Sequence, residues 1–496
     1  MKTYKNIKLL VVFFVLLTLT QCSKPLEQET YGVLAATDGP ASKELMQGLL
    51  EGVFVQFQYN GEQGRNQIYF AEFSSDHIYN EIGGLFRQSS PIINWDWDAS
   101  HPWFEDNFWG KPYRAIANAN LYLEFVETSK LSDEEKELGI AEARFARAVS
   151  YASLYNLFGA VPLRTSSDDE VYKERSTAEE VTNFIESELE AIAEDLPVKA
   201  ALFGKPTRGA AYGLLMKHYL NTKKWQKVID NANLIKALGK YSLYTAGTNP
   251  YRDLFKVQNE LIENETIFSF PASVLDLNNG NAIMSHSYPD SDYEILVTGE
   301  EDTRWSPGRI SGTKNRAYDF LVDLFEDEDD RKKQFIKTFI DYNGNVRVNA
   351  PNKNGIFKYW PDPNANQWAS GHDFRIVRYA DVLLSEAEAL NELNGPTQAS
   401  IDLINEVRIR AKATPLVLGD FSSQDALRNE ILNERGREFY FEGKRREDLI
   451  RHGKYVTAKR SHPLKPKSGA EDFRVLVPIP QAEIDANPNM VQNTGY

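Results

Sequence analysis

A single cysteine, Cys22, stands in the 496 residues, which removes every intrachain disulfide and every paired-cysteine metal or redox site. Cationic excess is missing as well: 56 Lys plus Arg face 71 Asp plus Glu, a formal net charge of -15. Phosphate backbones are held by concentrated Lys and Arg, so the acidic balance argues against a nucleic-acid partner. The apolar stretch from Leu9 to Leu19, broken only by Thr18, is eleven residues long, too short to span a bilayer as a helix. The seven histidines show no HExxH spacing, and no GxxxxGK[ST], GxGxxG or GxSxG sequence occurs, so the usual signatures of zinc proteases, phosphate loops, dinucleotide folds and serine hydrolases are absent. Asp96 and Asp98 lie two apart in one segment, which does not set the separation a glycosidase pair needs. Glu326 to Asp330 lacks the alternating ligands and glycine of a calcium loop. Catalysis, cofactor and metal are therefore not expected.

What is present begins with Lys2, Lys5 and Lys8 ahead of that apolar stretch, the form of a secretory signal over residues 1–21. The run ends in Leu19-Thr20-Gln21-Cys22, which resembles the lipobox of bacterial lipoproteins, with Gln21 standing where a small residue is usual. Lipidation of Cys22 would add two or three acyl chains, enough for stable anchoring where one is not. Cleavage there would remove three lysines and no acid, leaving a still more acidic body. Residues 22–40 read as its tether.

Helical periodicity dominates the body. One apolar face runs through Leu45, Leu49, Val53 and Phe57 over residues 43–57, and a second helix is expected over 113–128. Ser132 with Glu135 forms a capping-box start for a long helix to Tyr155, stopped by Gly159 and Pro162. Another helix is expected over 177–196. Two helix pairs follow, 207–220 with 225–238 and 377–393 with 397–412. Each occupies about 34 residues with small residues at points of close approach, as in tetratricopeptide repeats. Residues 240–375 are rich in Asn, Gly, Asp and Pro, with short alternating segments at 266–270 and 335–341 that suit strands. A loop-rich stretch of this length is uncommon without a function. The expected fold is mainly α: one unit over 41–496, with helical parts at 41–239 and 376–496 carrying the loop-rich face of 240–375.

Aromatics are unevenly placed. Four of the eight tryptophans, Trp95, Trp97, Trp103 and Trp109, fall within fifteen residues studded with Asp, Asn, Glu and His. Sugars present apolar C–H faces and hydroxyl rims, and aromatic platforms beside carboxylates and amides match both. Trp95, Trp97 and Trp103 are expected to be exposed, with Trp95 and Trp97 on one side of an extended segment and Asp96 opposite; Trp109, one turn before Tyr113, is expected to pack. A second cluster holds Tyr288, Tyr293 and Trp305 with Asp290, Asp292 and Arg304. Trp360 and Trp368, near Asp362 and Asn366, are alternates.

Four stretches together resemble the SusD/RagB family of outer-membrane nutrient-binding lipoproteins. They are AEARFARA at 141–148 continuing to LFGAVPL at 157–163, RYADVLLSEAEALN at 378–391, ERGREFYFEGKR at 434–445 followed by Asp448 and Leu449, and the terminus from Pro478-Ile479-Pro480 to Tyr496. The resemblance implies a single scaffold of tetratricopeptide-like pairs under a loop-rich ligand face, anchored in the outer membrane. It further implies a SusC-like TonB-dependent transporter as partner and oligosaccharide, or in fewer members peptide, as cargo. It places the glycan platform on the loop before the early helix and on a mid-chain loop, hence Trp95 or Trp97 with Tyr293 and Trp305, and Asp76 and Arg87 as hydroxyl partners. Independently of the resemblance, Arg435, Arg437, Glu438, Glu442, Arg445, Arg446 and Asp448 alternate in sign and suit an ion-pair lattice between helices. The rivals are peptide capture and a repeat scaffold that binds only protein, in which the tryptophans would be buried.

Overall fold

A computed structural model describes residues 41–57, 61–257, 264–275, 280–287, 293–296, 314–341, 343–366 and 369–496. The signal at 1–21, the tether with Cys22, and Tyr288, Asp290, Asp292, Arg304, Trp305 and Trp368 lie outside them.

The helices and strands are α1 (Lys43–Phe57), α2 (Gly61–Phe73), β1 (Ile78–Asn80), α3 (Phe86–Asn94), a π-helical segment (Trp103–Gly110), α4 (Lys111–Val126), α5 (Asp133–Phe158), α6 (Ala178–Ile192), α7 (Arg208–Asn221), α8 (Trp225–Ala237) and α9 (Pro250–Leu254). There follow β2 (Thr266–Phe270), β3 (Tyr293–Leu296), β4 (Asn315–Ala317), α10 (Asp319–Val322), β5 (Phe335–Ile336), β6 (Thr338–Asp341), β7 (Val346–Val348), β8 (Gly355–Ile356) and β9 (Phe374–Arg378). The chain closes with α11 (Tyr379–Asn394), α12 (Gln398–Arg410), α13 (Gln424–Phe439), α14 (Arg445–Arg451), α15 (Tyr455–Arg460) and α16 (Gln481–Ala486). This is the mainly α architecture with a few short strands.

Local chemistry sets the boundaries. Ser132 and Glu135 make the expected capping box on α5, and Thr177 with Glu180 makes another on α6, each satisfying orphan amide donors of a first turn. Gly159 ends α5 at a φ of 72°, a conformation open to glycine at little cost. The α1 face is rotated from its expected register and buries Met46, Val53 and Phe54. Helix α2 was hidden in a polar stretch, yet Tyr69, Phe70 and Phe73 are its buried anchors.

The pairs α7–α8 and α11–α12 form as their periodicity predicts, and α11 packs on α8, α12 and α13. Ala380, Leu384, Ala387, Ile401, Ile404, Val407, Leu427 and Ile431 fill the seam and are fully buried; each large aliphatic side chain contributes roughly 1.5–3 kcal/mol by leaving water. At Gly213 on α7 an added Cβ would stand 3.0 Å from Val377, so the helix lies directly against β9.

Strand pairing turns the loop-rich interval into a closed excursion. β2 and β9 are antiparallel, Thr266 opposite Arg378 and Phe270 opposite Phe374, so the residues between 270 and 374 leave and return through one stem. β1 pairs with β4, Tyr79 opposite Arg316, tying the excursion to the amino-terminal helices. β6 lies between β3 and β7, and β5 pairs with β8.

A buried charge network fastens this layer to the scaffold. Arg378 reaches Glu265 at 2.7 Å, Glu438 at 2.6 Å and Glu442 at 2.9 Å, and Arg331 reaches Glu434 at 2.7 Å. Lys358 meets Glu442 at 2.5 Å, and Arg410 meets Glu438 at 2.5 Å and Glu265 at 3.1 Å. Every one of these groups is essentially without solvent contact. Burial pushes the Glu442 carboxyl up, but Arg378 and Lys358 overcome it and hold the group at about 2. The alternating charges of the late motif are thus structural. Arg331 and Lys358 come from the excursion and Glu265 from the position just before β2; Glu434 and Glu438 come from α13.

Candidate functional site

The tryptophan-rich segment is not the exposed platform that its polar neighbours suggest. Trp95, Trp97 and Trp103 are 0%, 2% and 1% exposed. Trp95 caps α3 in the left-handed region, φ 56°, and its indole N–H donates to the Ser74 carbonyl at 2.9 Å. The Trp97 N–H donates to the Tyr496 hydroxyl at 2.9 Å, with the Arg474 guanidinium 5.1 Å from the ring centroid. Trp103 donates to Gln88 Oε1 at 3.0 Å and meets His101 edge-on. Alternation does hold, but with inverted sense: Asp96 and Asp98 face solvent while the rings between them face the core. The physical reason is that each indole finds its hydrogen-bond partner inside, so burial leaves no donor unsatisfied. Trp109 packs as expected, 5.0 Å from Tyr113 and edge-on to Phe158.

Asp76 is likewise occupied. Arg445 donates to both its oxygens, at 2.8 and 2.7 Å; burial pushes its carboxyl up, but Arg445 and His77 outweigh that and hold it well below the usual carboxylate range. As a hydroxyl partner for a ligand it is therefore corrected to a scaffold anchor. Arg87 is exposed on the first turn of α3. Tyr293 opens β3 opposite Asp341.

The stretch that carries Trp305 returns to the described structure at Lys314, beside Ile82: Lys314 N–H donates to Ile82 O at 3.2 Å and Glu81 N–H to Lys314 O at 2.8 Å. This corner between β1 and α3 exposes Ile82 by 52% and Phe86 by 38%, next to Arg87. Glu81 holds it with Arg316 at 3.2 Å and Lys353. Beneath lies an aromatic stack, Tyr79 on Tyr318 at 4.6 Å. Burial, with Glu81 nearby, pushes the Tyr79 phenol up to about 12, so it stays a neutral donor to Asn352 O at 3.0 Å.

Among the described residues of the same loop-rich layer, the accessible indole is Trp360. It lines an open cleft of about 490 Å³ with Tyr244, Asp253, Lys256, Val257, Pro361 and Pro363. The geometry starts at α9, where the Asn249 side chain accepts the Arg252 N–H at 2.9 Å and Pro250 occupies the first turn. That start places Arg252 and Lys256 one turn apart, both toward Trp360: the guanidinium carbon lies 5.3 Å and the ammonium 5.9 Å from the ring centroid, within cation–π range. Asp253 holds both, Arg252 at 3.0 Å and Lys256 at 2.7 Å. Phe357 supports the ring edge-on at 4.7 Å, and the Trp360 N–H of the backbone donates to Phe255 O at 3.1 Å. Asp362 is buried and accepts the Asn364 and Gly371 amides, both at 2.8 Å, so it shapes the turn rather than the cleft.

The 280–287 segment links the two regions: Asn281 pairs with Ser370 behind the Trp360 turn, and Asn315 N–H donates to His286 O at 2.8 Å behind the corner. A smaller cavity of about 120 Å³ among α2, α5, α7 and β9 has Lys217, Glu442, Lys444 and Glu447 in its lining, whose charges pair with neighbours. Among the described residues no group of three His, Cys, Asp or Glu is placed to hold a metal. Asp329 is taken by Arg331, Asp330 by Lys333 and Lys412, and Glu326 by Arg408. The sequence pattern does not single out Trp360, because nothing in it shows Arg252 of α9 and the following Lys256 arriving at the ring.

Comparison with known proteins bears on the whole chain. The model of the SusD family matches residues 342–496, and a model described as starch-binding associating with outer membrane matches residues 27–220. The chain is 27% identical to SusD-like protein P38 of Formosa agariphila over the full length of both. It is also 27% identical to starch-binding protein SusD of Bacteroides thetaiotaomicron over 77% of this chain and 76% of that one. Among solved structures, a SusD superfamily protein from Parabacteroides distasonis superposes with a TM-score of 0.76 at 23% identity, covering 92% of this chain and 99% of that one. A laminarin-binding SusD-like protein superposes with a TM-score of 0.75 at 22% identity, covering 92% and 100%.

Proposed function

This chain belongs to the SusD family, and on that premise we propose that it is an outer-membrane surface lipoprotein, anchored through Cys22, that captures oligosaccharide and passes it to a SusC-like TonB-dependent transporter. Capture is non-covalent, without turnover. The observation that carries the glycan reading is the Trp360 cleft: a half-buried indole, open to solvent beside Tyr244, two prolines, Asp253 and Lys256. A pyranose face stacks on the indole while the rim groups meet its hydroxyls. Arg87, Tyr293 and Trp305 are the proposed further contacts. Relatives bearing the names starch-binding and laminarin-binding support carbohydrate over peptide.

Calorimetric titration with a panel of plant, host and microbial oligosaccharides tests this, with Trp360→Ala and Trp305→Ala alongside the parent chain. Binding of at least one glycan, weakened tenfold or more in Trp360→Ala, is the expected result. Binding of peptides with no response to any glycan overturns the reading in favour of peptide capture.

A further inference from the structure

We propose that the helical scaffold carries a second carbohydrate site beside the turn between α7 and α8, where a neutral sugar unit stacks on Trp225 and its adjacent hydroxyls engage Glu392 and Arg428. The place is an open cleft of about 360 Å³, lined by Lys223 of the turn, Trp225 at the start of α8, Glu388 and Glu392 of α11, Arg428 of α13 and Arg451 of α14. It shares no lining residue with the Trp360 cleft, and it stands whether or not that cleft binds. The turn sets it up: α7 ends at Asn221, Lys223 takes a left-handed φ of 60°, and the chain reverses to open α8 with the indole. Trp225 differs from the indoles of the early segment. Trp95, Trp97 and Trp103 are enclosed and donate to protein acceptors. Trp225 is half-buried, and among the described residues its side chain has no hydrogen bond and no ring or cation contact, so it offers a ligand both a face and a donor.

The walls explain the preference for hydroxyls. Arg451 donates to both oxygens of Glu388, at 2.5 and 2.8 Å, and His452 Nε2 donates to Oε1 at 3.1 Å; this carboxylate is 2% exposed and forms a sealed floor. One helical turn on, Arg428 grips Glu392 in the same way, at 2.5 and 2.8 Å, but here the carboxylate is 14% and the guanidinium 26% exposed. Each Glu392 oxygen keeps a lone pair beyond the one that Arg428 uses, and Arg428, which also reaches Asp425, keeps N–H groups beyond those three bonds. An acceptor and a donor fixed in one plane suit neighbouring hydroxyls, each of which gives and takes a hydrogen bond. Both arginines already hold carboxylates, which turns the cleft away from anions; the exposed Lys223, with no ion pair among the described residues, serves the rim.

Fluorine NMR of the full chain labelled with fluorotryptophan reads the site directly, with Trp225→Phe identifying its resonance. The labelled chain is titrated with neutral oligosaccharides, namely maltoheptaose, laminarihexaose, xylohexaose and mannohexaose, at low and high salt. Saturable movement of the Trp225 resonance with at least one of them is expected, at a midpoint that salt changes by less than about twofold. Glu392→Gln should raise that midpoint about tenfold with little change in melting temperature, since the pair it breaks is partly exposed, and Trp360→Ala should leave the midpoint as it is. If sugars bind the chain yet leave the Trp225 resonance still, the inference is overturned while the reading of the Trp360 cleft stands. Movement of Trp225 with acidic peptides alone, fading as salt rises, overturns it in favour of a protein-docking site. Absence of any response to any of the sugars removes both carbohydrate sites.

Discussion

Trp97 donates its indole N–H to the hydroxyl of Tyr496 at 2.9 Å, across 399 positions of sequence. That contact turns a cluster that looks like a ligand platform into a clasp for the carboxyl-terminal segment. Tyr496 in turn donates to Leu476 O at 3.0 Å and packs edge-on against Phe473. Replacing Trp97 with alanine is therefore expected to cost about 3–5 kcal/mol of stability. Denaturant unfolding of Trp97→Ala reads this directly; an unchanged midpoint together with lost glycan affinity would return Trp97 to the binding site.

Asp76 and Arg87 separate scaffold from surface. Asp76→Asn leaves the buried Arg445 without its carboxylate and is expected to lower stability by about 3 kcal/mol. Arg87→Ala, on an exposed turn, should stay within about 0.5 kcal/mol of the parent. Paired thermal melts check both, and equal losses in the two variants would contradict the assignment.

Gly436 lies inside α13, where alanine ordinarily gains about 1 kcal/mol over glycine. Here an added Cβ would sit 2.9 Å from His77 Cε1 and 3.2 Å from an Arg445 nitrogen. Gly436→Ala is expected to destabilise, because His77 is fully enclosed and has no room to yield. A variant more stable than the parent would show that the helix and His77 are not in contact at this point.

Acid should weaken the fold in two stages. Burial pushes His77, His286 and His372 down to about 3, with Arg445, Arg65 and Arg375 respectively adding to the shift. Unfolded histidine titrates near ~6.5, so between about 6.5 and 3 the unfolded chain binds more protons than the folded one and stability falls with pH. Glu442, held at about 2, adds a second loss below the ordinary carboxylate range of ~4.3. Burial pushes the Glu72 and Asp373 carboxyls up to about 8 and about 6, which opposes this loss above the carboxylate range, so urea midpoints should decline below about pH 6; a flat profile from there to about pH 4 would falsify the neutral-histidine assignment.

Much of the scaffold was legible in the sequence, and the reasons are local. Ser132 and Glu135 signal a helix start through groups three residues apart, and the α7–α8 and α11–α12 pairs repeat one spacing. The strand at 266–270 was visible in its alternation, but its partner at 374–378 is fixed only by the fold. The candidate site was legible in composition and not in placement. Exposure of Trp95, Trp97 and Trp103 was read from polar neighbours, yet in an alternating segment those neighbours record the opposite face. The indole partners Ser74, Gln88 and Tyr496 lie 21, 15 and 399 positions away. What marks Trp360 is the approach of Arg252 from α9 to its ring, which the sequence order does not display.

The shared stem of β2 and β9 and the charge network under it also decide what travels together. The residues between 270 and 374 leave and return through this pair; Arg378 at the stem meets Glu438 of α13, Arg331 within meets Glu434, and Lys358 meets Glu442 just beyond the helix. The other margin of the layer is held by β1 against β4 and by Glu81 with Arg316 and Lys353. Tyr244, Asp253 and Lys256 of the cleft precede β2, whereas Trp360 lies between β2 and β9. Transplanting the excursion alone would therefore split the cleft, and specificity is written jointly by the insert and its approach segment.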